Sequence, residues 1–325
     1  MRAIAVVDPG PDYTLTLSQI ETPRLEPEKI LIKMLAAGVN RADLLQAKGK
    51  YPPPAGAPQT LGLEISGVVA DAALGSRFRI GEAVCALLPG GGYADFALVD
   101  ERCVLPLPAG IDPVAAAALP EALFTAWANL VDAAGLKTGE TVLIHGGSSG
   151  VGSTAIQLAT AFGAKVLTTA GGPERCERCE RLGAATAIDH HTEDFVVAVL
   201  EATQGHVADV ILDMVGGDYV TRNFAAAALK GRIVNIAHQK GAVTTVDFRP
   251  MMAKRLMMTA TTLRGRSAEE KGLIRDALLK TVWPLIETGA IAPVIDTSFP
   301  LAEAGAAHAR MASGSHFGKI VLTAH

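Results

Sequence analysis

TVLIHGGSSGVG, residues 141–152, runs a short apolar strand into a glycine-rich turn and then into a helix. A helix N-terminus presents unpaired N–H groups and the positive end of its dipole, so a pyrophosphate fits there. The usual dinucleotide fingerprint is G-x-G-x-x-G. Here Gly147, Ser148, Ser149, Gly150, Val151 and Gly152 put a serine at the middle glycine position and move that glycine one place on. Glycine turns open many helices, and a turn that has lost its ligand would read the same. What points to dinucleotide binding is the strand–turn–helix setting and the train of elements that follows it.

That train alternates strictly. Strands are predicted at 141–145, 165–170, 186–189, 208–213 and 232–237, with helices at 151–162, 174–182, 194–203 and 219–229 between them. Apolar strands of five or six residues separated by amphipathic helices imply a parallel sheet covered on both faces, a Rossmann doubly wound sheet. A last strand is expected at 257–263. Upstream the rhythm differs. Short β segments at 4–7, 15–20, 30–36 and 65–70 are punctuated by turns, with a helix at 40–47 that Asn40 would cap. Tyr51-Pro52-Pro53-Pro54 must be extended, because a residue before proline avoids the α region. Downstream, a helix over 268–286 and a strand over 319–322 could rejoin the first part. The fold class is therefore α/β: a β-rich domain over 1–120, a Rossmann domain over 121–263, and a C-terminal part, 264–325, that completes the first.

Composition narrows the functions. The 325 residues carry 29 Lys+Arg against 33 Asp+Glu, a net charge of −4. That balance argues against binding phosphate backbones without regard to sequence. Apolar stretches such as 114–119 are short, alanine-rich and bounded by prolines, so no membrane span is expected, and MRAIAVVDPG does not read as a signal peptide. Four cysteines give no disulfide framework, which makes a reducing cytoplasmic setting the expectation. Cys176 and Cys179 form a C-x-x-C, but no second pair accompanies them, and they fall inside a charged helical segment rather than on a metal knuckle. No H-E-x-x-H cluster and no nucleophile elbow is present.

Cofactor choice turns on the second strand. NAD-preferring sites place Asp or Glu at its end for the ribose 2′-OH. This chain reads Thr168-Thr169-Ala170-Gly171-Gly172 there, with no acid before Glu174, and then Arg175. The Arg175 guanidinium could pair a 2′-phosphate, favouring NADPH, or could simply be a solvated helix residue beside Glu174.

Five motifs, GVNRADLLQAKGKYPPP (38–54), LGLEISG (61–67), ALLPGGGYADFALV (86–99), LPEALFTAW (119–127) and IHGGSSGVG (144–152) from the glycine turn, resemble the medium-chain dehydrogenase/reductase superfamily. Within it the chain is similar to the zinc-free, zeta-crystallin-like NADPH:quinone oxidoreductases, in the branch that includes the tumour-suppressor-inducible enzyme. The likeness runs from MRAIAV to HFGKIVL. It implies a GroES-like catalytic domain around the Rossmann insertion, with substrate and NADPH meeting between them. Where zinc-dependent members carry Cys and then Gly-His-Glu, this chain shows Asn40 and Leu63 with Glu64 retained, so no catalytic metal is expected. The resemblance places Asn40, Asp43 and Tyr51 at the substrate; Asn40 and Tyr51 have the donors to orient a carbonyl oxygen, while Asp43 could equally be a first-turn dipole partner. It brings Thr125, Gly171, His190, Ala237, His238, Leu263 and Arg264 to the cofactor. It implies hydride transfer to a quinone or enone, with solvent as proton source, and a homodimer paired edge to edge near 257–263. A 2-enoyl thioester reductase on the same scaffold is the nearest alternative. An NADPH-binding regulatory or structural protein is the second.

Overall fold

The computed structural model describes residues 1–324. The chain forms two compact units: Met1–Phe124 together with the chain from Arg264 onward, and Thr125–Leu263. In chain order the first unit opens with β1 (Arg2–Val7) and β2 (Thr14–Gln19), an antiparallel hairpin. It continues through β3 (Lys29–Val39), β4 (Glu64–Ala72), β5 (Ala83–Leu87), β6 (Phe96–Asp100) and β7 (Val104–Pro106). The second unit carries β8 (Thr141–Ile144), β9 (Lys165–Ala170), β10 (Thr186–Asp189), β11 (Ala208–Asp213), β12 (Ala227–Asn235) and β13 (Met257–Ala260). The chain then adds β14 (Ile295–Pro300) and β15 (Lys319–Thr323) to the first unit.

The second unit is one six-stranded parallel sheet in the order β10-β9-β8-β11-β12-β13. Numbered within the unit that order is 3-2-1-4-5-6, the doubly wound arrangement of dinucleotide-binding folds, and it reverses between β8 and β11. Val142, Leu143, Ile144, Val210, Ile211 and Leu212 are all fully buried, as strands covered on both faces require. In the first unit the sheet runs β14-β15-β3-β4-β5-β7, with β6 also paired to β3. Along β3, Ile30, Ile32 and Met34 alternate inward with a period of two. β15 lies antiparallel on β3, pairing Ile320 with Val39. That pairing brings the end of the chain back to Asn40.

Several elements differ from expectation for identifiable reasons. The helix expected over 219–229 stops at Ala226, and β12 begins at Ala227, which pairs with Ala208 of β11. Sheet pairing overrides alanine's helix preference there. The strand expected over 257–263 ends at Ala260. The helix expected over 268–286 ends at Thr281 and resumes as Trp283–Glu287, because Pro284 cannot donate and its ring clashes with the preceding turn. Prolines do not break up the 113–133 region as expected either. Pro120 sits in the first turn of Pro120–Ala126, and the helix continues to Ala133 in π form. Pro113–Ala133 is long and apolar enough to cross a membrane by length and composition, but 78% of its most apolar 18-residue stretch is buried inside the protein, as a core helix is.

Candidate functional site

In the second unit, the turn after β8 is packed so closely that it needs glycine. Gly146 holds φ +71°, and at Gly147 a Cβ would lie 2.2 Å from Thr168 Oγ1. At Gly152 a Cβ would lie 2.2 Å from Gly146 O. Only glycine lets the helix Gly150–Ala161 start this close to the turn. Ser149 is the helix N-cap: its Oγ accepts from Gly152 N–H at 3.0 Å and donates to Gly146 O at 2.8 Å. The serine at the middle glycine position is thus a cap, and Ser148 and Val151 beside it stay partly exposed. Cys179 lies under the turn, its Sγ 3.1 Å from where a Gly147 Cβ would be, and Cys176 is buried beside it. Burial pushes the Cys176 and Cys179 thiols up to about 11 and about 12, so both are packing groups rather than reactive thiolates.

A buried polar chain ties this turn to the one after β11. His145 Nε2 lies 2.8 Å from Asn223 Oδ1, and its Nδ1 lies 3.2 Å from Thr169 Oγ1. The partners assign a neutral imidazole donating from Nε2, and burial lowers its pKa in the same sense. Thr169 Oγ1 also accepts from Gly146 N–H at 3.1 Å. At the other end Asn223 donates to Asp213 Oδ2 at 3.2 Å, while Asp213 Oδ1 accepts from Val215 and Gly216 N–H at 2.7 and 3.1 Å. The two turns that flank the reversal of strand order are therefore held in register. Sequence reasoning passed over His145, Asp213 and Asn223. For His145 and Asp213 the signal was a polar residue at the carboxyl end of an apolar strand; Asn223, inside the helix Tyr219–Ala226, had none.

Beyond β9, Gly171 and Gly172 form the small loop expected. Gly172 N–H donates to Asp189 Oδ1 at 2.8 Å, and the His190 and His191 rings pack edge to face at 4.5 Å over Gly171. Burial, then the neighbouring His191, holds the His190 pKa below its usual value. Arg175 is partly exposed and has no hydrogen-bond or ion-pair partner among the described residues, Glu174 included. His238 and Asn235 line a pocket of about 380 Å³ with Gly217, Phe224 and Thr244. Asn235 Nδ2 donates to Ala237 O at 3.1 Å, but its buried Oδ1 finds no partner among the described residues. The bare glycine turn, the free cation and this orphaned acceptor lie beyond the carboxyl ends of the strands, where open α/β sheets bind ligands. They fit a nicotinamide dinucleotide. Thr125 is buried, its carbonyl accepting from Asn129 Nδ2 at 2.7 Å one turn on, and Leu263 is buried at the unit's end.

In the first unit, the sequence candidates meet partners that spacing could not show. Asn40 is buried, and its amide is committed: Nδ2 donates to Glu64 Oε1 at 2.8 Å and Oδ1 accepts from Lys319 Nζ at 2.6 Å. The Lys319 ammonium also binds Glu64 Oε1, and Glu64 Oε2 accepts from Glu121 N–H at 2.9 Å. Gly38 makes room, since a Cβ there would meet the Glu64 carboxylate. Asp43 is fully buried and accepts from Asn40 N–H, Gly62 N–H and Tyr93 Oη at 2.8, 3.0 and 3.2 Å. Burial raises its pKa to about 6 against the pull of those donors. Asn40 and Asp43, expected at the substrate, are thus framework groups with no free donor to offer it.

Tyr51 differs. It is partly exposed, its hydroxyl has no partner among the described residues, and burial raises its pKa. The Arg264 guanidinium lies 5.5 Å from its ring centroid. Arg264, expected at the cofactor, lies in the first unit, where it donates to Pro89 O at 2.8 Å and Gln46 Oε1 at 2.7 Å.

Among the described residues no group of three or more His, Cys, Asp or Glu could hold a metal. At Asn40 and Glu64 an ammonium already takes the oxygen donors.

Comparison with known proteins accords with both units. Residues 26–109 match the alcohol dehydrogenase GroES-like domain, and residues 182–322 match the zinc-binding dehydrogenase family. Rat quinone oxidoreductase is 31% identical over 326 residues, covering 99% of this chain and 97% of that protein. The Mycobacterium tuberculosis phthioceranic/hydroxyphthioceranic acid synthase is 34% identical over 97% of this chain, which spans only 15% of that protein's length. Among solved structures, Escherichia coli quinone oxidoreductase complexed with NADPH superposes with a TM-score of 0.87 at 27% identity, covering 99% of both chains.

Proposed function

The chain belongs to the medium-chain dehydrogenase/reductase family, and from that premise we propose that it is an NADPH-dependent quinone oxidoreductase working without a metal. One observation carries the proposal: the Lys319 ammonium stands with Asn40 and Glu64, at the place where zinc-dependent members carry ligands. Without a Lewis acid to stabilise an alkoxide, alcohol oxidation loses its usual support. An acceptor that is already electron-poor needs much less help, and a quinone is one.

NADPH, when bound, supplies the hydride. The N–H groups of Ser148, Gly150 and Val151, which have no partner among the described residues, receive the pyrophosphate, and Arg175 pairs the 2′-phosphate. His145, Asn223 and Asp213 keep the two turns in register beneath it. The Tyr51 hydroxyl donates to the acceptor oxygen as charge develops there. Arg264 and the proline run hold Tyr51 in place. All four residues of β13 are exposed along an open sheet edge, Met257 by 63%, which supports a homodimer joined at that edge.

The synthase likeness supports a second reading, reduction of an enone or 2-enoyl thioester on the same residues. A screen of NADPH oxidation over ortho- and para-quinones, enones and enoyl-CoA, with NADH in parallel, separates them. Quinone turnover with NADPH preference is expected. Activity confined to enoyl-CoA would replace the quinone, and NADPH binding with no acceptor at all would replace the enzyme.

A further inference from the structure

His308 lies on the helix Ala304–Ala312, is 3% exposed, and has no part in the reading above. Both of its ring nitrogens bond to phenols. Nδ1 lies 2.7 Å from Tyr13 Oη, and Nε2 lies 3.3 Å from Tyr93 Oη. The two tyrosine rings pack edge to face with the imidazole, each centroid 5.8 Å away. Tyr93 is fully buried and donates to Asp43 Oδ2 at 3.2 Å, and Asp43 is fully buried in turn. Tyr13, between β1 and β2, is partly exposed. One unbroken line of hydrogen bonds, all within the first unit, therefore runs from a tyrosine at the surface to a carboxyl that solvent does not reach.

The line can point either way. A phenol both donates and accepts, and a neutral imidazole does so through opposite nitrogens. The Asn223 acceptor holds His145 to one tautomer, whereas both nitrogens of His308 face hydroxyls that suit either tautomer. With Asp43 ionised, Tyr13 donates to Nδ1, Nε2 donates to Tyr93, and Tyr93 donates to Asp43. With Asp43 protonated, every one of these bonds runs in reverse. Burial pushes the imidazole down to about 4, so it stays neutral near pH 7 and traps no proton. The other charged and titratable groups that act on Asp43 and Tyr93 are Lys319, Glu64, Glu121 and Arg264. None of the four bonds to Tyr13, His308 or Tyr93 among the described residues.

We infer that Tyr13, His308 and Tyr93 conduct protons between solvent and Asp43. In uptake, a proton from a solvent acid bonds to the Tyr13 oxygen as the Tyr13 O–H proton passes to Nδ1. The Nε2 proton passes to the Tyr93 oxygen, and the Tyr93 proton passes to Asp43 Oδ2. No electrons change hands. Asp43 ends with one proton more and the solvent with one fewer, while both phenols and the imidazole end neutral and His308 ends in its other tautomer. Release retraces the same steps. The buried groups around Asn40 and Asp43 thereby change their charge by one without the unit opening to water.

The test is photorelease of a caged proton in the whole protein, without cofactor or acceptor, with the Asp43 C=O stretch followed by time-resolved infrared. At equilibrium that band should vanish as pH rises through about 6 and be missing in Asp43→Asn. After a proton jump from neutral pH, it should grow about 10²-fold more slowly in Tyr13→Phe and in His308→Gln than in wild type. A phenyl ring has no hydroxyl, and an amide can bond to phenols but passes no proton on. Neither change touches Asp43, so the midpoint near pH 6 should stay in both. A rate within about threefold of wild type in either folded variant overturns the inference, because Asp43 then exchanges by opening or by another route. A midpoint that moves with both variants overturns it too, as does a wild-type Asp43 that fails to titrate. Should His308→Gln melt early, Tyr13→Phe decides alone, since it removes one hydroxyl from a partly exposed side chain. No readout depends on turnover, so inactivity toward every acceptor removes the functional reading and leaves this inference standing.

Discussion

Replacing Lys319 by methionine takes the ammonium out of the buried cluster and leaves Glu64 behind. The two side chains are 5% and 0% exposed, so solvent cannot make good the loss. The carboxylate keeps only the Asn40 amide at 2.8 Å and the Glu121 N–H at 2.9 Å. Breaking a buried pair from one side costs about 3–5 kcal/mol, most of it the uncompensated charge. For a unit of this size, at about 2–4 °C per kcal/mol, the transition should fall by about 6–20 °C. Adding Glu64→Gln removes that charge, and replacing a buried pair as a whole is often neutral, so the double variant should regain most of the loss. The assay is urea unfolding followed through Trp283, whose indole N–H donates to Pro106 O at 3.2 Å within the same unit. The chain has two tryptophans, so a Trp127→Phe background silences the other unit. A single variant within about 1 kcal/mol of its parent refutes the reasoning, as does a double variant at the sum of the two singles.

Gly152→Ala should weaken NADPH binding at least tenfold in a fluorescence titration. Its Cβ would sit 2.2 Å from a backbone oxygen of the turn, and binding within twofold of wild type would dismiss the cradle. Arg175→Ala should raise the NADPH KM and leave NADH nearly unchanged; equal losses with both cofactors would end its assignment to the 2′-phosphate. Asp43 has its pKa raised from 3.8 to about 6, so the folded state holds its proton more tightly. Its contribution to stability is full below about pH 4 and is lost as pH rises through about 6. Relative to Asp43→Asn, the wild type should therefore lose about 3 kcal/mol between pH 4 and pH 7 and little above that. A flat difference in urea midpoints across that range would contradict it.

The second unit was legible in the sequence because its strands are buried on both faces. Runs such as TVLI and DVILD have no polar alternation to blur them, and the glycine turn marks where the first one ends. The first unit was less so. β5, β6, β7 and β14 are short or half-polar, and they are recognisable only through the neighbours they pair with. The same physics divides the candidate site. Gly147, Ser149 and Gly152 act within a few residues of one another, so spacing reports their work. Asn40 and Asp43 do not, because the groups that bind them, Lys319, Gly62 and Tyr93, lie up to 279 residues away. Lys319 stands in a segment that carries the likeness, but nothing local gave it a role, and only the return of β15 onto β3 brings it to Asn40 and Glu64.

Metal-independent hydride transfer from NADPH to a quinone is tested most directly by single-turnover oxidation of NADPH deuterated at C4, in protein treated with a strong chelator. The proposed function predicts full oxidation by quinone, a primary isotope effect on its rate, and no change on adding zinc. Activity that vanishes with the chelator and returns with zinc would contradict it, as would oxidation at the same rate for both isotopes when the chemical step is limiting.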